Sequence, residues 1–187
     1  AFNECMCLSQ ITIPSSVTSI GNNAFIFCYL RKLVIPSSVK FIGSNAFTRC
    51  QFEKIEIPSS ITTIESSVFS GCTILSQVTI PSSIISIGNS AFRGCKSLKQ
   101  IAIPSSVTVI GDKVFDGCTS LEQIAIPSSV TSIGNGAFNN CTSLKQIEIP
   151  SSVTLINSFV FNECKSLFQV TIPESITSIG ANAFSKC

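Results

Sequence analysis

The feature that most constrains this chain is the even spacing of its prolines. A column of cysteines from Cys5 to Cys187 keeps the same interval, and a phenylalanine stands three residues before each cysteine of that column. A fixed period in the twenties predicts stacked supersecondary units, each burying its apolar face against its neighbours. The eight prolines, 22 or 23 residues apart, are Pro14, Pro36, Pro58, Pro81, Pro104, Pro127, Pro150 and Pro173.

The two 22-residue repeats locate a loop within the repeat. Both are one residue short between cysteine and proline, at 28–36 and 50–58, while the segment from proline to cysteine keeps its length throughout. Because loops tolerate deletions better than packed elements, the residues directly after each cysteine are predicted to form a loop.

A typical repeat, residues 95–118, predicts two extended segments and one helical turn. The segment 98–103 alternates apolar and polar residues with the period of a β-strand, and Pro104 ends it because proline lacks an amide donor. A second extended segment follows, after which Gly111 is predicted to be left-handed and Asp112 to cap the helical turn. Equivalent caps are expected at Asn22, Ser44, Ser66, Asn89, Asn135 and Ser158.

Stacking these units predicts an α/β solenoid. The strands of successive repeats would lie side by side as a parallel sheet, with the rest of each repeat as the crossover. Since the sheet is narrow and the helical side bulkier, we expect the stack to curve. The parallel sheet would lie on the concave side and the short helical turns on the convex side. Residues 1–187 are expected to form one domain of eight repeats of 22–23 residues.

Composition argues against several classes of function. The 12 Lys+Arg and 10 Asp+Glu give a net charge of +2, and without a basic block we do not expect a nucleic-acid partner. No apolar run approaches a membrane span, so this segment is not expected to insert. The chain has no histidine, the usual general base and commonest metal ligand. We therefore expect neither an enzyme nor a bound cofactor or metal.

Ten cysteines raise the question of disulfides. Nine share one column, in which nothing selects a pairing, so we interpret them as buried free thiols that pack as small apolar groups. Bridges between neighbouring repeats are the alternative. Cys7 stands outside the column in a loop position and is predicted to be the most reactive thiol.

The repeat pattern L-x-x-I-x-I-P-S-S-V-T-S-I-G-x-x-A-F-x-x-C resembles the BspA-type leucine-rich repeat over essentially the whole chain. Glu65 and Asn157 depart from it by replacing the turn glycine. The resemblance implies a surface protein of host-associated bacteria or mucosal protist parasites that adheres to host or matrix proteins or to other microbes. A non-enzymatic, cell-surface or secreted protein-binding domain is thus one hypothesis. An intracellular protein-interaction scaffold built on the same repeat is the other.

The outward positions of the strands are where a protein ligand would bind on the concave face, because the repeat constraint is relaxed there. Lys99, Glu122 and Lys145 either form cross-strand charge pairs on a solvated face or recognise a partner. A column of glutamines beside them is expected to join its amides along the sheet. The candidate binding surface comprises Arg31, Lys32, Glu53, Lys54, Glu56, Gln77, Lys99, Gln100, Glu122, Gln123, Lys145, Gln146, Glu148 and Phe168.

The chain starts and stops in the same phase of the repeat, without a divergent capping unit. Solenoids normally need polar caps over the terminal core. We therefore expect a segment of a longer repeat protein, and end-to-end self-association through its open ends is a further expectation.

Overall fold

The computed structural model describes Phe2 and residues 4–187 as a stack of short strands in two columns. The first column has three-residue strands at the predicted LxxIxI segments: β3 (Lys54–Glu56), β5 (Gln77–Thr79), β7 (Gln100–Ala102), β9 (Gln123–Ala125), β11 (Gln146–Glu148) and β13 (Gln169–Thr171). The second has two-residue strands: β1 (Ser19–Ile20), β2 (Phe41–Ile42), β4 (Thr63–Ile64), β6 (Ser86–Ile87), β8 (Val109–Ile110), β10 (Ser132–Ile133), β12 (Leu155–Ile156) and β14 (Ser178–Ile179).

Every strand pair is parallel, and each strand pairs with its equivalent in a neighbouring repeat. In the first column the pairs are β3–β5, β7–β9 and β11–β13. Gln10 and Lys32 add an isolated parallel bridge at the same repeat position. The predicted parallel pairing is therefore confirmed, although hydrogen bonds divide this sheet into pairs of strands.

The predicted α/β class is wrong, because no helix occurs in Phe2 and residues 4–187. The fold is a parallel β-solenoid, and the segment expected to form a helical turn is a succession of tight turns. There the amides of Lys113, Phe115 and Gly117 donate to carbonyls of the next repeat at 2.9, 2.8 and 2.8 Å. Those of Asp116 and Cys118 donate to carbonyls three residues back. Alternate amides thus leave the repeat, so a ladder of bonds to the fourth preceding residue cannot form.

Left-handed residues interrupt the same segment twice in each repeat. Lys113 and Gly117 have φ angles of 55° and 73°, and their counterparts in neighbouring repeats behave alike. Such single left-handed residues cannot continue a right-handed helix. Gly111, which was predicted to be left-handed, has no positive φ; the left-handed position lies two residues later.

The glycine column instead permits close approach of neighbouring backbones. A Cβ on Gly111 would lie 2.9 Å from the amide nitrogen of Asn89 and 3.0 Å from the carbonyl carbon of Gly88. The amide of Gly111 donates to the carbonyl of Ile87 in the preceding repeat at 2.9 Å. Glycine is required here because the repeats approach within bonding distance, leaving no room for a side chain.

The two departures from glycine coincide with gaps in the second strand column. This column consists of β1–β2, β4–β6–β8–β10 and β12–β14, and the gaps precede β4 and β12, the strands followed by Glu65 and Asn157. At the second gap the side-chain Nδ2 of Asn157 donates to the carbonyl of Ile133 at 2.7 Å, where glycine elsewhere uses its backbone amide. A side chain at this position thus separates strands that glycine allows to pair.

Replacing Glu65 with glycine is expected to close the first gap. The amide of residue 65 would then reach the carbonyl of Ile42, as the amide of Gly88 reaches that of Ile64 at 2.8 Å. We expect its hydrogen exchange to slow by about fivefold, since one inter-repeat bond is worth roughly 1 kcal/mol. Glu65→Ala is the control, because its Cβ keeps the strands apart. Equal exchange in both variants would contradict the role given to glycine.

The core is a continuous column of stacked rings. Neighbouring rings lie 5.2–5.9 Å apart between centroids, with planes within 15° of parallel. Phe52, which replaces the strand leucine, meets Phe47 and Phe69 edge-on. Each ring covers the next, which gives every repeat an apolar interface with its neighbours. The stack comprises Phe2, Phe25, Phe47, Phe69, Phe92, Phe115, Phe138, Phe161 and Phe184.

Polar side chains join the repeats around this core. The Oδ1 of Asp112 accepts from the amide of Asn135 at 2.7 Å, and that of Asn89 accepts from the amide of Asp112 at 2.9 Å. The expected helix caps therefore act between repeats. From Pro36 onwards, the serine two residues after each proline also reaches back to the preceding repeat, as Ser106 Oγ donates to the carbonyl of Ile84 at 2.6 Å. The serine pair lies in a tight turn, since the amide of Val107 donates to the carbonyl of Pro104.

Candidate protein-binding face

The three-residue strands present their outward side chains on one surface, here called the long-strand face. It comprises the outward residues of the three-residue strands and the residue directly before each of these strands. It also includes residues 31–34, which occupy the same position in an earlier repeat. All fourteen predicted binding residues are exposed. Each of them is therefore accessible to a ligand.

Strand register brings the glutamines of this face into rows. Gln100 lies opposite Gln123, and Gln146 opposite Gln169. Among the described residues, however, no side-chain hydrogen bond joins two of these amides, so the expected amide ladder is not formed. The exposed amides can offer donors and acceptors to a ligand.

A groove of about 760 Å³ runs along the central part of the long-strand face. Its only charged lining residue is Glu148, so the groove floor is mostly amide, hydroxyl and aliphatic. It is lined by Ser76, Gln77, Val78, Thr79, Gln100, Ile101, Ala102, Gln123, Ile124, Ala125, Gln146, Ile147, Glu148, Gln169 and Thr171.

Charged residues stand beside this groove. Lys145 Nζ lies 2.8 Å from Glu122 Oε2, and the hydrogen bond and charge of Lys145 lower the pKa of the Glu122 carboxyl. The charge of Lys99 lowers the pKa of Glu122 further, although Lys99 forms no ion pair with any described residue. Of the predicted charge pairs, Lys145–Glu122 is therefore formed. Both side chains are about half exposed, so the pair adds little stability.

A second recess, the N-terminal notch, lies on the same face where the two short repeats meet. Its volume is about 740 Å³. Where the loop after cysteine has two residues, a turn forms and the amide of Leu75 donates to the carbonyl of Cys72; in the short repeats Gln51 donates to Leu30 instead. The notch is lined by Tyr29, Arg31, Lys32, Leu33, Val34, Gln51, Glu53, Lys54 and Ile74.

Sequence reasoning missed this notch, although its signal was visible. The deletions at 28–36 and 50–58 were interpreted as marking a loop. Two adjacent shortened loops also leave a recess beside the full-length loop that carries Ile74.

Sequence reasoning also missed a polar ladder on the turn side, opposite in the repeat to the strand segments. Asn139 Nδ2 donates to Asp116 Oδ1 and Asn162 Nδ2 donates to Asn139 Oδ1, each at 2.7 Å. Arg93 Nε completes the ladder by donating to Asp116 Oδ2 at 2.9 Å. Four successive repeats are thus linked by side chains. Their sequence signal was a run of hydrogen-bonding residues in the position after the repeated phenylalanine.

The cysteine column consists of free thiols that donate hydrogen bonds. Cys118 Sγ donates to the carbonyl of Phe92 at 3.2 Å, and equivalent thiols repeat this contact along the stack. Burial raises the pKa of Cys118 to about 12. Seven of the nine column thiols are buried as expected, whereas Cys5 is half-buried and Cys187 is exposed. The part of the chain that the structure describes holds no cluster of three potential metal ligands.

Native thiol labelling is expected to be confined to the exposed cysteines. Cys7 and Cys187 are exposed and Cys5 is half-buried, while the seven others are buried. With a disulfide-forming chromogenic reagent, we expect rapid reaction at Cys7 and Cys187 in native protein and ten reactive thiols after denaturation. Fewer than eight thiols in the denatured, unreduced chain would contradict the free-thiol column.

Fold and surface together define a class: a helix-free repeat solenoid whose regular residues build the stack and whose variable residues occupy an exposed face. The profile of the BspA type leucine rich repeat region matches residues 1–121 and 64–187 in six copies. The chain belongs to this family.

Solved structures agree with that assignment. A leucine-rich repeat protein from Bacteroides ovatus is 29% identical, with a TM-score of 0.76, over 100% of this chain and 60% of that one. The T. pallidum leucine rich repeat protein is 28% identical, with a TM-score of 0.78, over 97% and 87%. A leucine rich cell surface protein from Faecalibacterium prausnitzii is 31% identical, with a TM-score of 0.68, over 94% and 56%.

This chain therefore spans less than two thirds of the B. ovatus and F. prausnitzii proteins. A search of curated proteins finds no match. Within the described residues, no helix has the length and apolar character needed to cross a membrane.

Proposed function

We propose that this chain is the protein-binding repeat region of a cell-surface adhesin that contacts host or matrix proteins through its long-strand face. Membership of the family supports a protein-interaction role. Likeness to the F. prausnitzii cell surface protein supports the location. The proposal includes no catalytic step, since the face presents no nucleophile paired with a general base.

The observation that carries the proposal is the contrast between repeating and variable positions. Inward residues of the strands repeat almost unchanged, and burial explains them. The exposed residues directly before these strands change from repeat to repeat in charge and size, from Lys99 to Glu122 to Phe168. Phe168 is 74% exposed, which costs solubility without contributing to the core. Extended faces of this kind are the surfaces with which solenoids bind partners.

Binding to surfaces coated with purified extracellular-matrix proteins tests the proposal. We expect saturable binding to at least one coating by the recombinant chain, and no binding by the heat-unfolded chain. Absence of saturable binding to every matrix protein and to host cells would contradict the adhesin proposal.

Location separates this proposal from an intracellular interaction scaffold. An antibody raised against the chain is expected to label intact, unpermeabilised cells that express the full-length protein. Labelling only after permeabilisation would replace the adhesin with the scaffold.

A further inference from the structure

The N-terminal notch has a composition that sets it apart from the neighbouring groove. Three cations line it, and they are called here the notch cations: Arg31, Lys32 and Lys54. Glu53 is its one carboxylate. The central groove, by contrast, has a single charged residue and that residue is acidic. The two recesses of one face therefore suit chemically different parts of a ligand.

The notch cations have no ion-pair partner within the described residues. The three ion pairs there are Arg93–Asp116, Lys145–Glu122 and Lys186–Glu163, all in later repeats. Glu53 is exposed next to Lys54 in sequence but makes no ion pair with it. An uncompensated positive recess attracts carboxylates and selects against cationic partners.

Apolar side chains line the same notch at the surface. Tyr29 is 54% exposed, Val34 80% and Ile74 38%. These three, the notch apolar residues, are not needed by the core, which is closed beneath them by buried Leu33. An apolar side chain of a ligand would gain burial by covering them. Their mixture of one ring and two aliphatic chains does not provide the row of aromatic platforms that single-stranded nucleic acid uses.

We propose that the N-terminal notch binds an acidic peptide segment of a protein ligand, with an apolar side chain at its centre and carboxylates on either side. The apolar side chain packs on the notch apolar residues, and the carboxylates pair with the notch cations. This inference rests on the proposed protein-binding function and names the kind of segment that the first part of the face receives. Shortening of two adjacent loops creates the site, so the site belongs to residues 28–74 and not to the repeat in general.

A fluorescein-labelled peptide, Glu-Asp-Glu-Leu-Phe-Glu-Asp-Glu, tests the proposal by fluorescence polarisation with the purified chain. We expect saturable binding that weakens as salt is raised. Reversal of the notch cations in Arg31→Glu, Lys32→Glu and Lys54→Glu together is expected to weaken it by about tenfold or more, because three exposed charge contacts are lost and become repulsive.

A control with the same change in net charge separates the notch from general attraction. Lys96, Lys113 and Lys165 are exposed outside the long-strand face, and changing all three to glutamate should alter affinity by no more than about twofold. Equal weakening in the two triple variants would overturn the proposal. So would an absence of saturable binding to the unchanged protein.

Two further arms test the apolar component and the shape of the site. We expect binding to weaken when Leu-Phe of the peptide is replaced by Gly-Gly. We also expect weaker binding when an oligothymidine of eight nucleotides replaces the peptide. Equal affinity for either probe would overturn the assigned ligand.

Inserting a serine after Tyr29 and another after Gln51 restores the two-residue loops and fills the notch. This variant, if folded by circular dichroism, should lose the peptide; retained affinity would overturn the location.

Failure of the notch proposal can be distinguished from failure of the adhesin proposal. Matrix binding that survives while the peptide fails to bind would remove only the notch proposal. Loss of matrix binding in all conditions, with peptide binding intact, would leave the notch as a peptide site and remove the adhesin.

Discussion

Replacing Gly134 with alanine is expected to destabilise the solenoid by about 2–3 kcal/mol, the cost of forcing an extra group into close packing. A Cβ at this position would lie 2.5 Å from the carbonyl carbon of Gly111 and closer still to the amide nitrogen of Asp112. Both atoms belong to the backbone, so neither can rotate away. Relief requires separating the two repeats, which breaks the 2.8 Å bond from the Gly134 amide to Ile110.

Gly21 provides a matched control for this experiment. It occupies the same repeat position, but a Cβ there would meet nothing within 4 Å. Gly21→Ala is therefore expected to leave the free energy of unfolding unchanged or to raise it by up to about 1 kcal/mol, because alanine reduces the conformational entropy of the unfolded chain. Urea midpoints for the two variants and the unchanged protein give the comparison. A similar loss of stability in both would contradict the close-approach account of the glycine column.

The second large effect is expected at alkaline pH. Burial raises the pKa of Cys50, Cys118 and Cys164 from 9.0 to about 12. Between these values the unfolded chain loses thiol protons that the folded chain retains, so stability falls as pH rises. The stability is fully present below pH 9.0 and is lost progressively towards pH 12. At about 1.4 kcal/mol per pH unit and thiol, these three alone would cost roughly 4 kcal/mol at one pH unit above 9.0.

Serine at these three positions separates the thiols from other alkaline titrations. A hydroxyl can still donate to the phenylalanine carbonyls, as Cys118 does to Phe92, but it does not ionise in this range. We expect the Cys50→Ser, Cys118→Ser, Cys164→Ser variant to be less stable at pH 7 and to lose stability less steeply above pH 9. Urea unfolding at several pH values measures both slopes. Identical slopes would show that the thiols do not control alkaline unfolding.

The sequence predicted the repeat, its parallel strands and the inward residues, because these follow from periodicity and alternation. It did not predict the turn segment correctly. Glycine followed by Asp112 and Phe115 has the residues of a short capped helix. What excludes the helix is that Lys113 and Phe115 donate their amides to the neighbouring repeat. Such a bond depends on how closely neighbouring repeats stack, and the residues of a single repeat do not reveal that spacing.

The binding surface could be predicted only in part for a similar reason. Alternation along the strand correctly identified Gln100 and Ala102 as outward, and both are exposed. The notch beside Tyr29 depends on two loops being short in adjacent repeats. That effect appears only when the repeats are stacked, because the recess lies between them.

The central claim, that the long-strand face binds the protein ligand, is most directly tested by reversing Lys99, Glu122 and Lys145. The variant Lys99→Glu, Glu122→Lys, Lys145→Glu keeps an ion pair between 122 and 145. Lys96→Glu, Glu174→Lys, Lys165→Glu, at exposed positions outside the face, makes the same change in net charge. We predict that only the first variant loses binding to the matrix protein that the unchanged chain binds, while both keep its melting temperature. Unchanged binding by the first variant would contradict the account.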